Sequence, residues 1–204
     1  HRRVVLMALE RPEATLVQEL GAFVSDLRYE AIPADVSAML KLRLLDVVGA
    51  AVPGIRSSTY RPFAGIAAPG EATCWATGAR VSVRDAAFLN SFVAHAAYME
   101  DGSRFSGGHP ASVVAPAAFT IAERHAASGR QVLAATLAGY EIFLRLGRAV
   151  YPEIVRRGMQ STAVLGAPAS SAAATSLLAL GRDQSAHGLA IAANLGFGLK
   201  EALK

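Results

Sequence analysis

Apolar side chains recur at helical spacing along most of the chain. In the segment 15–27 they form a single stripe, made by Leu16, Leu20, Phe23, Val24 and Leu27. A stripe with this period is typical of an amphipathic helix that packs one face against a core. Thr15 precedes the stripe and Gln18 stands three positions later, which is the capping-box pattern of a helix start. We therefore predict a first helix that begins after Thr15.

The same reasoning predicts further helices, separated by proline, glycine and capping residues. They run from 32 to the Pro53-Gly54 turn signal, over 82–99 after the capping residue Ser82, over 110–127, 131–149 and 163–180, and from Asp183 as N-cap. The pattern weakens between 55 and 80, where only 72–76 resembles a short extended piece. With strands nearly absent, the sequence predicts an all-α helical bundle.

Composition and charge narrow the class of protein. Hydrophobic residues make up 52% of the chain and charged residues 18%, a balance that supplies a core and argues against disorder. The net charge of +4 comes from scattered basic residues, so no block indicates a nucleic-acid arm or a polybasic membrane anchor. The mild excess of positive charge fits an anionic small molecule, and it fits an ordinary protein surface equally well.

The longest uncharged stretch lies between Arg157 and Arg182. It is rich in alanine, serine, threonine and glycine and contains Pro168, whereas membrane-spanning helices depend on leucine, isoleucine, phenylalanine and valine. We expect a buried helix there and no membrane contact. The single cysteine, Cys74, excludes a disulfide within the chain and is compatible with a reducing compartment, so we expect a cytoplasmic protein.

The stretch 100–110, EDGSRFSGGHP, carries the densest candidate chemistry. His109 precedes a helix-opening proline, which places it beside the free N–H groups of a helix start, where an anion is favoured. Gly107 and Gly108 allow the backbone to approach a ligand closely, and Arg104 is suited to pair with a carboxylate. The alternative is a polar surface loop with a helix cap, and the pattern alone does not separate the two.

The other histidines have plainer interpretations. His95 stands on the apolar face of a predicted helix, which favours a buried residue that supports its neighbours, and His125 and His187 have the surroundings of structural residues. No set of histidines and carboxylates has the helical spacing of metal ligands, so we expect no metal. The chain also lacks a Gly-x-Ser-x-Gly nucleophile elbow and a phosphate-binding loop.

The run 90–101, NSFVAHAAYMED, followed by Gly108-His109-Pro110-Ala111, resembles the MmgE/PrpD family. That family has an asparagine, an Ala-His pair, an Asp-x-Asp-Asp run and a His-Pro pair in this order. Other matching segments are 27–33, 41–49, 72–78 with Trp75, 138–148 and 186–192. The resemblance extends from Thr15 to Lys204.

The resemblance implies a large helical domain, with a smaller α/β lid that we expect to be absent from this chain. Residues 1–14 are then a flexible N-terminal extension, and 15–204 form the helical domain, incomplete at its C-terminus. Members of the family act on small citrate-like di- and tricarboxylates without metal or organic cofactor, and they usually form homodimers. The active site lies between domain and lid.

Site residues follow from the same resemblance. His109 corresponds to the active-site histidine of the His-Pro pair, and Asp101 to the last acidic position before it. Two positions depart from the pattern: Tyr98 replaces the first acidic residue, and Gln160 replaces a second histidine. The family's lysine is expected beyond the last helix, where neither Lys200 nor Lys204 matches. The expected substrate contacts are Arg104, Tyr98, Gln160, Ser161 and Thr162.

The resulting hypothesis is a lyase, either a dehydratase or a decarboxylase, that works by acid/base proton transfer. His109 is the acid or base, and Asp101 orients it or shares its proton. Two alternatives stay open. One is an epimerase or isomerase of the same family, and the other is a truncated, inactive helical remnant that only dimerises or binds a carboxylate. The sequence leaves the substrate and the effect of the two departures undecided.

Overall fold

The computed structural model describes residues 14–200, and within them it confirms the predicted all-α class. The expected N-terminal extension, 1–14, lies outside the described residues except for Ala14. The helices are α1 (Leu16–Asp26), α2 (Ala34–Arg56), α3 (Arg61–Ala64), α4 (Val83–His95), α5 (Ala111–His125), α6 (Gly129–Val150), α7 (Glu153–Arg156), α8 (Ser161–Leu177) and α9 (Arg182–Asn194). A 3-10 turn, Tyr29–Ala31, separates α1 from α2.

The predicted caps of α1 and α4 are confirmed. The side-chain Oε1 of Gln18 accepts a hydrogen bond from the backbone N–H of Thr15 at 2.9 Å. The hydroxyl of Ser82 accepts one from the backbone N–H of Asp85 at 3.1 Å. Each bond satisfies a group that a helix start leaves without a partner in the helix, so both starts could be predicted from local sequence.

Several predicted boundaries differ from the structure, among them the end of α4, which lies at His95 and not near residue 99. Helix α2 does not stop at Pro53 but continues to Arg56. Gly54 serves packing instead of termination, because a Cβ there would lie 2.1 Å from the carbonyl oxygen of Val93 on α4. The N-cap of α9 is Gly181, and Asp183 lies within the first turn, where its charge still suits the helix dipole.

The weakly patterned stretch holds the short helix α3 and a two-stranded hairpin. Strand β1 (Pro69–Thr73) pairs antiparallel with β2 (Arg80–Val81). The fully buried Asn90 of α4 fastens this hairpin, because its Nδ2 donates to the carbonyl of Thr73 at 2.9 Å and its Oδ1 accepts from the N–H of Trp75 at 2.8 Å. The asparagine of the family-like run is therefore a structural residue.

Helix α5 lies at the centre of the bundle, in contact with α4, α6 and α8. Small residues bring the helices close together. A Cβ on Gly139 of α6 would lie 2.6 Å from Cγ1 of Val114 and 3.0 Å from the carbonyl oxygen of Ala169. Such packing buries the start of α5, where Ala111, Val114 and Ala115 are fully covered. Within residues 14–200, no helix has both the length and the apolar character needed to cross a membrane.

We expect Gly139→Ala to lower the free energy of unfolding by about 1–3 kcal/mol, because the added methyl group overpacks the contact with Val114. Gly129→Ala is the matched control, since a Cβ at that helical position meets nothing within 4 Å. It should leave stability unchanged or raise it by up to about 1 kcal/mol through helix propensity. Urea unfolding of both variants measures the difference, and equal stabilities would contradict this account of the packing.

Candidate active site

The segment between α4 and α5 folds back on itself and carries most of the candidate residues. Backbone conformations with positive φ form its bends, at Tyr98 (52°), Gly107 (65°) and Gly108 (76°). The N–H of Ser103 closes the loop by donating to the carbonyl of Gly108 at 3.0 Å. Gly108 is needed for its size as well, since a Cβ there would lie 2.9 Å from Oγ1 of Thr162. The return of the loop brings residues 95, 100 and 109 together.

His109 is fastened at the start of α5 by two hydrogen bonds. Its backbone N–H donates to Oγ1 of Thr162 at 3.0 Å, and its ring Nδ1 lies 2.8 Å from the carbonyl oxygen of Asp101. Because a carbonyl only accepts, Nδ1 carries the proton in this bond. Nε2 is then the ring nitrogen with a free lone pair, which is the arrangement a general base requires.

The carboxylate of Asp101 points to other partners than the ring of His109. Its Oδ1 accepts from the N–H of Ala111 at 3.0 Å, and its Oδ2 accepts from the hydroxyl of Tyr140 at 2.8 Å. Burial raises the pKa of Asp101, although both hydrogen bonds and the charge of Arg43 oppose this effect. Burial and the neighbouring Asp101 also raise the pKa of Tyr140. Asp101 therefore joins the start of α5 to α6 and orients His109 through its backbone carbonyl.

Glu100 is the carboxylate that meets the imidazoles. Its side chain is fully buried, its Oε1 accepts a hydrogen bond from Nδ1 of His95, and the same oxygen lies 3.6 Å from Nδ1 of His109. Its Oε2 has no hydrogen-bond partner among the described residues. Burial alone would raise the pKa of Glu100, but the bond from His95 and the charges of both imidazoles hold this pKa below its usual value. A buried carboxylate thus lies between two histidines.

Three rings pack beside this carboxylate in tilted and edge-to-face contacts. The ring centroids of His95 and Tyr98 are 4.4 Å apart, those of His95 and His109 5.2 Å, and those of Tyr98 and His109 5.5 Å. Burial, followed by the charge of Glu100, raises the pKa of Tyr98. The side chain of His95 is partly buried, with 24% of its surface exposed, and its Nδ1 bonds to Glu100.

A cavity of about 490 Å³ opens beside the rings, within the usual size range of small-molecule pockets. Its polar lining comes from His95, Tyr98, Ser91, Ser112, Gln160 and Thr162. Phe88, Phe92 and Val113 contribute to its apolar wall. His109 does not line this cavity itself, although its ring contacts His95 and Tyr98, which do.

The predicted substrate-contact residues separate into two groups. The structure brings Tyr98, Gln160 and Thr162 to the cavity. Arg104 is exposed in the loop, and Ser161 is buried beside Gly107; neither contributes to the cavity lining. Gln160 has a structural task as well, because its Oε1 caps α8 by accepting from the N–H of Ala163 at 2.6 Å.

The first turns of two long helices form part of the same wall. Ser112 and Val113 belong to the first turn of α5, and Thr162 and Ala163 to the first turn of α8. Helix starts carry partial positive charge and N–H groups without partners in the helix, and they attract anions. The N–H groups of Ala111 and Ala163 are already bound to Asp101 and Gln160, so the two helix starts contribute their partial positive charge, and His95 an imidazole, to a largely apolar cavity.

The comparisons with known proteins identify the family of the chain. Residues 18–204 match the model of the MmgE/PrpD N-terminal domain. A cis-aconitate decarboxylase-like protein of Aspergillus oryzae is 32% identical over 94% of this chain and 42% of its own length. Two cis-aconitate decarboxylases of Aspergillus terreus are 30% and 31% identical, over 92% and 90% of this chain and 40% of their own lengths.

The chain therefore spans about two fifths of the length of these curated relatives. The family model covers nearly all of the chain, including the cap of α4, the loop and the histidine-carboxylate cluster. The resemblance predicted from the asparagine, Ala-His and His-Pro positions is confirmed, and the chain belongs to the MmgE/PrpD family.

Proposed function

We propose that this chain is the helical part of a lyase that acts on a small citrate-like di- or tricarboxylate by acid/base proton transfer. One observation carries the proposal: the buried carboxylate of Glu100 binds His95 and lies beside His109, next to a cavity with two helix starts in its wall. The relatives whose names specify cis-aconitate decarboxylase support this class of substrate. No step of the proposed chemistry needs a group beyond the side chains of the protein.

An imidazole pair of this kind can serve either lyase reaction. In decarboxylation, the bond between the substrate carbon and its carboxylate breaks, CO2 leaves, and the electron pair on carbon takes a proton from imidazolium. In dehydration, a neutral imidazole removes a proton from carbon, and an acid protonates the hydroxyl group that leaves as water. Glu100 stabilises the imidazolium form in both cases, because opposite charges favour one another at this short distance.

The two histidines have different places in this proposal. His95 lines the cavity and is the imidazole nearest to a bound substrate. His109, assigned to catalysis by the family resemblance, has the free Nε2 and is oriented by Asp101 and Thr162. Asp101 is thus a positioning residue. Tyr98, Gln160 and Thr162 are the proposed substrate contacts, while Arg104 and Ser161 have no assigned contact in the cavity.

An epimerase or isomerase of the same family is the second candidate. Tyr98 and Gln160 favour it, because both stand in the cavity wall where the family pattern has an acidic residue and a histidine. Removal and return of a proton at one carbon would use the same imidazoles without releasing CO2 or water. An inactive helical remnant is the third candidate. The homodimer and the cytoplasmic location stay predictions.

Loss of the imidazole at position 109 should abolish most of the activity. We expect His109→Gln in the full-length protein to lower kcat on cis-aconitate or 2-methylcitrate by about 100- to 10,000-fold, since a positioned acid/base contributes that much. His125→Gln, which changes an exposed imidazole at the end of α5, is the matched control. Undiminished turnover in His109→Gln would remove this residue from the mechanism.

Solvent deuterium separates a lyase from an epimerase. During turnover in D2O, a decarboxylase should place one deuterium in the product at the carbon that takes the proton after CO2 leaves, because imidazolium exchanges its proton with solvent. NMR of the product measures this label. Deuterium at a stereocentre of recovered substrate, with no unsaturated or decarboxylated product, would support the epimerase and contradict the lyase.

The positioning role of Asp101 predicts an energetic coupling to Tyr140. Asp101→Ala leaves the buried hydroxyl of Tyr140 without its partner, which should cost about 1–3 kcal/mol of stability. The loss should be smaller in the background of Tyr140→Phe, where Asp101→Ala removes only the bond to the N–H of Ala111, so that the double-mutant cycle gives a coupling of about 1 kcal/mol or more. Urea unfolding of the four proteins measures it. Additive effects would show that the 2.8 Å contact does not hold α5 to α6.

A further inference from the structure

We propose that His95, Glu100 and His109 form a binding site for a divalent transition-metal ion, with Zn²⁺ as the probe. This inference goes beyond the proposed proton transfer, which uses the same side chains without an ion. The expectation of no metal rested on spacing along single helices, whereas this cluster forms only when the loop folds back. His95 ends α4, Glu100 lies in the loop and His109 precedes α5.

The distances fit one ion. Each of the three residues offers one ligand atom, and these atoms all lie within 4.8 Å of one another. Zinc binds nitrogen and oxygen ligands at about 2 Å, so atoms that share one ion lie about 3–3.5 Å apart. Oε1 of Glu100 is already 3.6 Å from Nδ1 of His109. Zinc would replace the proton that Nδ1 of His109 donates to the carbonyl of Asp101, and small side-chain rotations would then bring the three ligand atoms to one ion.

A separate observation points to a cation. Oε2 of Glu100 is buried without a hydrogen-bond partner among the described residues, and the whole residue is only 5% exposed. A buried polar atom without a partner is unfavourable, and one that belongs to a carboxylate is especially so. A metal ion bound through both carboxylate oxygens would supply the missing partner of Oε2. The cluster thus differs from exposed acidic groups, which water satisfies.

The types of ligand select the class of ion. Two imidazoles with one carboxylate are a common protein ligand set for zinc when a fourth position stays open for water. Magnesium and calcium prefer oxygen ligands alone and should bind weakly here. His95 lines the cavity, so the ion would be reached from that side. An ion bound at Nδ1 of His109 leaves the ring proton on Nε2, which then lacks the lone pair needed for proton transfer, so zinc binding and catalysis should exclude each other.

The test uses the full-length protein, from which any affinity tag has been cleaved and any bound metal removed with a chelator. The protein is then titrated with Zn²⁺, and isothermal titration calorimetry measures the binding. We expect His95→Gln and Glu100→Gln each to weaken the tightest binding step by about tenfold or more, as loss of a ligand should. His125→Gln and His187→Gln are the controls, because both change exposed imidazoles on α5 and α9. They should leave that step unchanged.

Circular dichroism checks that each variant keeps its helices, and Co²⁺ gives a second measurement on the unmutated protein. Cobalt bound by two imidazoles and a carboxylate with few waters absorbs visible light much more strongly than hydrated cobalt. Absence of that absorption, or equal zinc affinity in the cluster variants and the controls, overturns the proposal. The titration needs no substrate. Absence of zinc binding would therefore not contradict the proposed lyase, and absence of lyase activity would not contradict the zinc site.

Discussion

The contact between Glu100 and two imidazoles determines how the rest of the site is arranged. A fully buried carboxylate is costly unless positive charge or hydrogen-bond donors compensate for lost water. His95 supplies a hydrogen bond from the end of α4, and His109 brings its ring from the start of α5. The loop must therefore return within a few residues, which explains the positive φ of Gly107 and Gly108. The tight packing around α5 then keeps both imidazoles in place.

The starts of α1 and α4 and the apolar stripes were predictable because they depend on neighbouring residues. Thr15 with Gln18, and Ser82 with Asp85, satisfy their own helix ends. The end of α2 could not be predicted in this way. Gly54 looks like a turn signal in the sequence, but in the structure it is a position of close packing against Val93. The distinction depends on a helix that lies some 40 positions away along the chain, and local patterns carry no information on such a contact.

In the candidate site, too, some features follow from neighbouring residues and others depend on contacts between distant parts of the chain. The resemblance to the family pointed to His109, and its position before Pro110 explains how it comes to a helix start. Glu100 could be named only as one of two carboxylates in the loop, since its burial between His95 and His109 depends on the path of that loop. Asp101 was the more visible candidate, yet its carboxylate bonds to Tyr140 and Ala111. Two adjacent carboxylates thus serve different purposes, one in holding helices together and one in holding imidazoles.

The central claim is that Glu100 joins His95 and His109 into one unit. Nitrogen-15 NMR of the histidine side chains tests it most directly, at one pH, in the unmutated protein and in Glu100→Gln. The account predicts that His109 carries its proton on Nδ1 and that the substitution shifts the ring-nitrogen signals of both His95 and His109, but not those of His125. A proton on Nε2 of neutral His109, or a change confined to His95, would contradict it.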